Sequence, residues 1–146
     1  MNKFCKLVLY VVGITCLLVA MIVIKKVTQK RTVTTLVARA RYAVKRISDT
    51  MSQTNQISSD LAIELSDEIR EHSTIRIIGK KSVDYGGIIL LDEDRNAMIR
   101  IGFLEYPLLQ FYDIKQDSRT QIELQYDLAG ALGFKLHGYK PSLQMK

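Results

Sequence analysis

The side chains that could carry out catalysis or bind a metal are few in this 146-residue chain. Its two histidines are His72 and His137, and its two cysteines, Cys5 and Cys16, lie in or beside an apolar N-terminal stretch. A zinc site or a Cys–His nucleophile needs such groups together in one site. Because the cysteines belong to the apolar segment, we expect neither chemistry. We predict a non-enzymatic protein with no cofactor and no metal.

One loop has part of the spacing of a calcium site. Asp92, Asp94 and Asn96 match the first three ligand positions of an EF-hand loop. Ala97 replaces the glycine that allows the sharp turn, and Phe103 replaces the bidentate glutamate. We therefore predict an ordinary hairpin turn at this point of the chain.

The apolar stretch covers residues 7–24 and contains no charged residue. A helix of this length spans the roughly 30 Å hydrocarbon core of a bilayer. Lysines flank the stretch on both sides, where the lipid headgroups would lie: Lys3, Lys6, Lys25 and Lys26. We predict a short basic tail at residues 1–6 and a transmembrane helix at residues 7–24, with a cleaved signal peptide as the alternative.

No glycine lies between Gly13 and Gly79, and the first proline is Pro107, so no backbone breaker follows the apolar stretch closely. We predict a helical stalk over residues 25–72, basic in its first part and acidic in its second. Apolar residues in the first part recur in heptad steps that are typical of a coiled coil, and the helix-pairing candidates are Val33, Val37, Ala40, Val44, Ile47 and Met51. In the second part the apolar residues step by four, which favours packing on the chain's own sheet: Ile57, Leu61, Leu65 and Ile69.

Much of the formal net charge of +6 lies next to the apolar stretch, where residues 25–46 include no acid. Basic residues near a bilayer bind anionic lipid, and the lipid-contact candidates are Lys25, Lys26, Lys30, Arg31, Arg39 and Arg41. A topology signal is the alternative, since basic residues accumulate on the cytosolic side of a span. This rule predicts a cytosol-facing C-terminal part, with an exported one as the alternative. Nucleic acid is not expected as a partner, because Tyr42 is the only aromatic residue among these charges.

Beyond residue 73 the apolar pattern changes to the alternation that is typical of strands. The candidate strands are residues 74–78, 88–91, 99–103, 109–114, 122–128 and 134–139. Short strands joined by brief polar turns predict an antiparallel meander. The expected fold class is α+β, with a small antiparallel sheet over residues 73–146 that packs on the end of the stalk helix.

An anchor, a stalk and a small sheet without a catalytic set predict a single-pass membrane protein. We expect it to act as an interaction subunit of a membrane-embedded assembly, such as a secretion, conjugation or division apparatus. Its partners would be membrane lipids and proteins, in a homo- or hetero-oligomer.

Two alternative functions come from resemblances. The layout, an apolar helix that continues into an amphipathic one and is capped by an antiparallel sheet, is similar to that of type IV pilins and pseudopilins, which implies a filament subunit. Residues 38–51 (ARARYAVKRISDTM) also resemble the part of their first helix beyond the membrane half. The pilin processing motif is absent, since no glycine precedes Gly13 and no acid precedes Asp49. Residues 87–102 (GIILLDEDRNAMIRIG) resemble the central hairpin of extracytoplasmic sensor domains, which implies a small membrane-tethered ligand-sensing domain.

Overall fold

The computed structural model describes residues 2–76, 79 and 84–141. Within these residues the chain forms the following elements: α1 (Lys3–Ala38), β1 (Tyr42–Arg46), β2 (Ser52–Gln56), α2 (Ser59–His72), β3 (Thr74–Ile75), β4 (Gly87–Leu91), β5 (Ala97–Phe103), β6 (Leu108–Asp113), β7 (Ser118–Glu123) and α3 (Leu128–Ala131). The 36-residue apolar helix and the seven-stranded antiparallel sheet among the described residues are consistent with the predicted α+β class.

The sheet has the strand order β2-β1-β4-β5-β6-β7-β3, and each neighbouring pair is antiparallel. Strands β4 to β7 form the expected meander, and the turn between β4 and β5 confirms the predicted hairpin. The candidate strands at residues 88–91, 99–103 and 109–114 correspond to β4, β5 and β6. Only the first part of the candidate at 74–78 is observed, as β3, since positions 77–78 lie outside the described residues. A β1–β2 hairpin extends the opposite edge of the sheet beside β4.

The helix that begins in the apolar stretch ends at Ala38, so the prediction of an uninterrupted helix through residue 72 is wrong. After it the chain forms the β1–β2 hairpin, which the N–H of Ile47 closes onto the carbonyl of Met51 at 3.0 Å. The lack of glycine and proline permits a helix but does not enforce one, and five of the nine residues 48–56 are Ser, Thr or Asn, which are weak helix formers. Pairing of β1 with β4 is a tertiary interaction that outweighs local propensity.

The heptad pattern is not a seam between helices of separate copies. Val33, Val37 and Ala40 are only 1–3% exposed and belong to the chain's own core. Val44 lies on β1, and Ile47 and Met51 are 59% and 65% exposed around the hairpin turn. The steps of four and three therefore indicate a core-facing helix as far as Val37, and Ala40 is buried just beyond the end of α1. The later positions of the pattern lie on or around the hairpin and not on a helix.

The second helix packs within the chain, as its steps of four indicated. Ser58 caps α2, because its Oγ accepts a hydrogen bond from the N–H of Leu61 at 3.1 Å. Leu65 and Ile69 are at most 1% exposed and face the core. The Ser66 hydroxyl donates to the carbonyl of Thr34 at 2.9 Å, which fastens α2 to the second half of α1.

Two predictions for the C-terminal part are wrong. The strand predicted over residues 122–128 ends at Glu123, the last residue of β7. Asp127 instead caps α3, where its side chain accepts a hydrogen bond from the N–H of Gly130 at 2.9 Å. Residues 134–139 are irregular, with a turn at residues 137–138, and do not form a strand. Gly133 and Gly138 have φ values of 81° and 80°, a left-handed conformation that interrupts an extended chain.

One face of the sheet carries the core. Its inward side chains are at most 1% exposed: Ile88, Leu90, Ile99, Ile101, Leu109, Phe111 and Ile122. The second half of α1, together with α2 and α3, packs into the same core cluster. The opposite face presents a row of registered residues: Val44, Ile89, Arg100, Tyr112 and Arg119. Arg119, at the β7 end of this row, also lines a groove beside α1.

Replacing Ile69 by alanine should destabilise the protein by about 2–5 kcal/mol, because this fully buried side chain joins α2 to the core. The matched control is Ile63→Ala on the same helix, where the side chain is 52% exposed and the change should be within about 0.5 kcal/mol. Urea unfolding of the full chain in detergent micelles measures both. Equal effects of the two substitutions would contradict the described orientation of α2.

Candidate membrane and partner-binding surfaces

The first part of α1 is an apolar helix with no cover. Every residue from 7 to 24 is exposed, and the most apolar 18-residue window has a mean hydropathy of 3.0 with none of it buried. At 1.5 Å per residue such a window is about 27 Å long, close to the thickness of a bilayer core. The chain thus has one N-terminal helix among its described residues that is long and apolar enough to span a membrane.

Two of the six lipid-contact candidates have structural partners. The Nζ of Lys30 donates a hydrogen bond to the carbonyl of Ser73 at 2.8 Å, and burial lowers the pKa of this lysine. The guanidinium of Arg41 donates to the carbonyls of Ala38 and Ala40 at 3.2 and 2.7 Å. Lys30 therefore ties α1 to the end of α2, and Arg41 satisfies carbonyls at the C-terminus of α1.

Arg31 and Arg39 line a groove of about 490 Å³ between the second half of α1 and the turns after β4 and β6. The turns contribute Asp92, Asp113 and Lys115. Both carboxylates are used within their turns. The Asp113 side chain accepts two backbone hydrogen bonds at 3.0 Å each, and the backbone N–H of Asn96 is the main cause that lowers the pKa of Asp92. The groove is of mixed charge, and its geometry selects no class of ligand.

Lys25 and Lys26 directly follow the apolar stretch, at the level where α1 reaches the folded part of the chain. They are brought together with Gln110 and Arg119 of the sheet around a second groove of about 380 Å³. The six candidates therefore separate into two residues that hold the fold, two in the mixed groove and two at the junction with the apolar helix.

Groups with catalytic potential are scattered. Cys5 and Cys16 are free and exposed on the apolar part of α1. His72 lies at the end of α2, with its Nδ1 3.3 Å from Glu68, and His137 lies in an exposed turn. No group of three or more His, Cys, Asp or Glu side chains in the described residues is arranged to hold a metal ion. The absence of an enzymatic activity stays a prediction.

The β1–β2 hairpin is a surface that sequence reasoning missed. β2 pairs only with β1 among the described strands, and its sequence SQTNQ has no charge or proline to block a further strand. Ile47 and Met51 are exposed around the turn, beside a groove of about 530 Å³ that extends to Ile89 and Arg100 on the open face. The signal for this hairpin was the turn-forming sequence Ser-Asp-Thr at residues 48–50, followed by a β2 segment rich in Ser, Thr and Asn.

Comparison with known proteins gives no family. No protein-family model, curated protein or solved structure matches the chain. A functional assignment therefore depends on the surfaces described above: the uncovered apolar helix, the junction beside it and the unblocked hairpin edge.

Proposed function

We propose that this chain is a single-pass, membrane-anchored, non-enzymatic interaction subunit of a membrane-embedded assembly of the secretion, conjugation or division type. The observation that carries the proposal is the uncovered apolar part of α1. Soluble monomers rarely expose apolar patches above a few hundred Å². Transfer of these large side chains from water to lipid, at about 1.5 kcal/mol or more each, is worth on the order of 20 kcal/mol.

The junction between anchor and folded part also supports a structural role. α1 continues without a break from the apolar stretch into Val33 and Val37, which are packed in the core. The hydrogen bonds from Lys30 to Ser73 and from Ser66 to Thr34 fasten the same helix to α2. An anchor on a flexible tether would need none of these contacts, whereas a subunit with a fixed position above the bilayer requires them.

Replacing Ile14 by lysine, near the middle of the apolar stretch, should reduce stable membrane insertion. A lysine at the centre of a span costs about 2.5–3.5 kcal/mol on insertion scales. The measurement is the fraction of full-length chain that stays with membranes after alkaline carbonate extraction. Ile63→Lys on the exposed side of α2 is the control and should leave the fraction unchanged. Full solubility of the unmodified chain without lipid or detergent would remove the proposal.

The partner surface that we propose is the β1–β2 hairpin, to which a partner would add a strand along β2. A photoreactive p-benzoylphenylalanine in place of Met51 should give a cross-linked product in native membranes. The same group in place of Ile114, which is 38% exposed in the turn after β6, is the control and should give none. A product of twice the 16.6 kDa chain mass identifies a second copy, and any other mass identifies a different subunit. No product from Met51, or equal products from both positions, would exclude this surface.

A pilin-like filament subunit is a second candidate, favoured by one observation. In this chain the first part of one helix is apolar and uncovered, and its second part packs on an antiparallel sheet. This layout resembles that of type IV pilins. The processing motif is missing at the N-terminus. The ligand-sensing alternative has no comparable support and stays a hypothesis.

The two candidates differ in processing and orientation. For the anchored subunit we expect an intact N-terminus by mass spectrometry and, from the basic residues after the span, a cytosol-facing folded part. In a chain with Cys5→Ser and Cys16→Ala, a single Glu93→Cys in the β4–β5 turn should be protected from an impermeant maleimide in intact cells. The same cysteine should react after lysis. Loss of the first residues together with labelling of intact cells would instead favour the filament subunit.

A further inference from the structure

The groove at the junction of anchor and sheet has walls from distant parts of the chain. Its volume is about 380 Å³. One wall is a single face of α1 with the spacing i, i+3, i+4 and i+7: Ile22, Lys25, Lys26 and Gln29. The other wall comes from β6, β7 and the segment after β3: Arg76, Gly79, Gln110, Arg119, Thr120 and Gln121. The docking of α1 and the pairing of β3 with β7 bring these two walls together.

The lining is strongly cationic. It contains Lys25, Lys26, Arg76 and Arg119, and no carboxylate is among its described residues. Arg76 forms an ion pair with Glu123 outside the groove, so its charge is compensated. The guanidinium of Arg119 lies 5.7 Å from the centre of the Tyr112 ring, a cation–π contact that leaves its positive charge in place. Lys25, Lys26 and Arg119 form no ion pair among the described residues, so three cations line this groove.

The groove also has polar donors and an apolar end. The amide of Gln121 donates to that of Gln110 at 3.3 Å, which places an amide pair on the sheet wall opposite Gln29 of α1. Amide and guanidinium N–H groups donate well to phosphate oxygens. Ile22 belongs to the last turn of the apolar stretch, so one end of the groove lies at the level of the acyl chains.

We propose that this groove binds the phosphate headgroup of one anionic phospholipid, with the acyl chains of that lipid along the helix at Ile22. The inference rests on the proposed membrane insertion. The ligand class follows from the positive charge of the groove and from its position at the end of the apolar stretch, because lipid phosphates are the anions found where an apolar span meets water. It also assigns binding to Arg119, a residue far from the anchor in sequence, whereas Lys30 and Arg41 are engaged in the fold.

The test is lipid competition on the full chain. The chain is purified in mild detergent, exposed to equal amounts of phosphatidylglycerol and phosphatidylcholine, and examined by native mass spectrometry. One phosphatidylglycerol per chain should be retained in preference to phosphatidylcholine. Arg119→Gln should reduce that preference about fivefold, the change expected for one charge at an anionic surface. Lys115→Gln, which removes one exposed charge in the β6–β7 turn, is the matched control and should leave it unchanged.

Arg119→Lys keeps the charge and should retain most of the preference, and urea unfolding of each variant shows whether the fold is intact. Equal retention of both lipids, or equal losses for Arg119→Gln and Lys115→Gln, would overturn the proposal. Displacement of the lipid by millimolar inorganic phosphate would also overturn it, because the site would then bind a soluble anion. Flotation of the chain with vesicles is measured separately, so that a failure to insert is distinguished from insertion without lipid selectivity.

Discussion

The packing of the second half of α1 against α2 and the sheet is the interaction on which the other features of this molecule depend. Val33 and Val37 are buried there, and Ser66 and Lys30 add hydrogen bonds between the same elements. This contact fixes the line along which the apolar helix leaves the folded part. It therefore also decides which strands lie next to the end of the apolar stretch, namely β6 and β7.

The parts of the fold that sequence reasoning identified are those with strong local signals. The apolar stretch of α1 is long and uncharged, whereas β4, β5 and β6 are short apolar or alternating segments, which length and flanking residues mark as strands. The β1–β2 hairpin was missed because its stability comes from pairing with β4, a strand distant in sequence. The segment at residues 134–139 was mistaken for a strand because Phe134 and Tyr139 are buried although the backbone there is irregular. Burial and backbone conformation are separate properties, and an apolar residue in the sequence predicts burial better than it predicts a strand.

The same distinction applies to the candidate surfaces. Lys25 and Lys26 were found because they directly follow an apolar segment, which is a local signal. Arg119 was not found, since it reaches the junction only through the order of the strands and the docking of α1. Lys30 has the same charge and similar sequence surroundings as Lys26, yet its ammonium group donates a hydrogen bond to the carbonyl of Ser73. Periodicity places a lysine on one side of a helix, but the tertiary structure determines its partner.

The continuity of α1 has a mechanical consequence. Gly13 is the one glycine in this helix and lies within the apolar stretch, so neither glycine nor proline provides a hinge between residue 24 and Ala38. In a bilayer, where spans tilt by about 20° to match local thickness, a stiff segment of about 21 Å would swing its far end sideways by about 7 Å. If α1 spans a bilayer as proposed, thinning or thickening of the lipid would be converted into lateral displacement of the sheet and of the β2 strand at its edge.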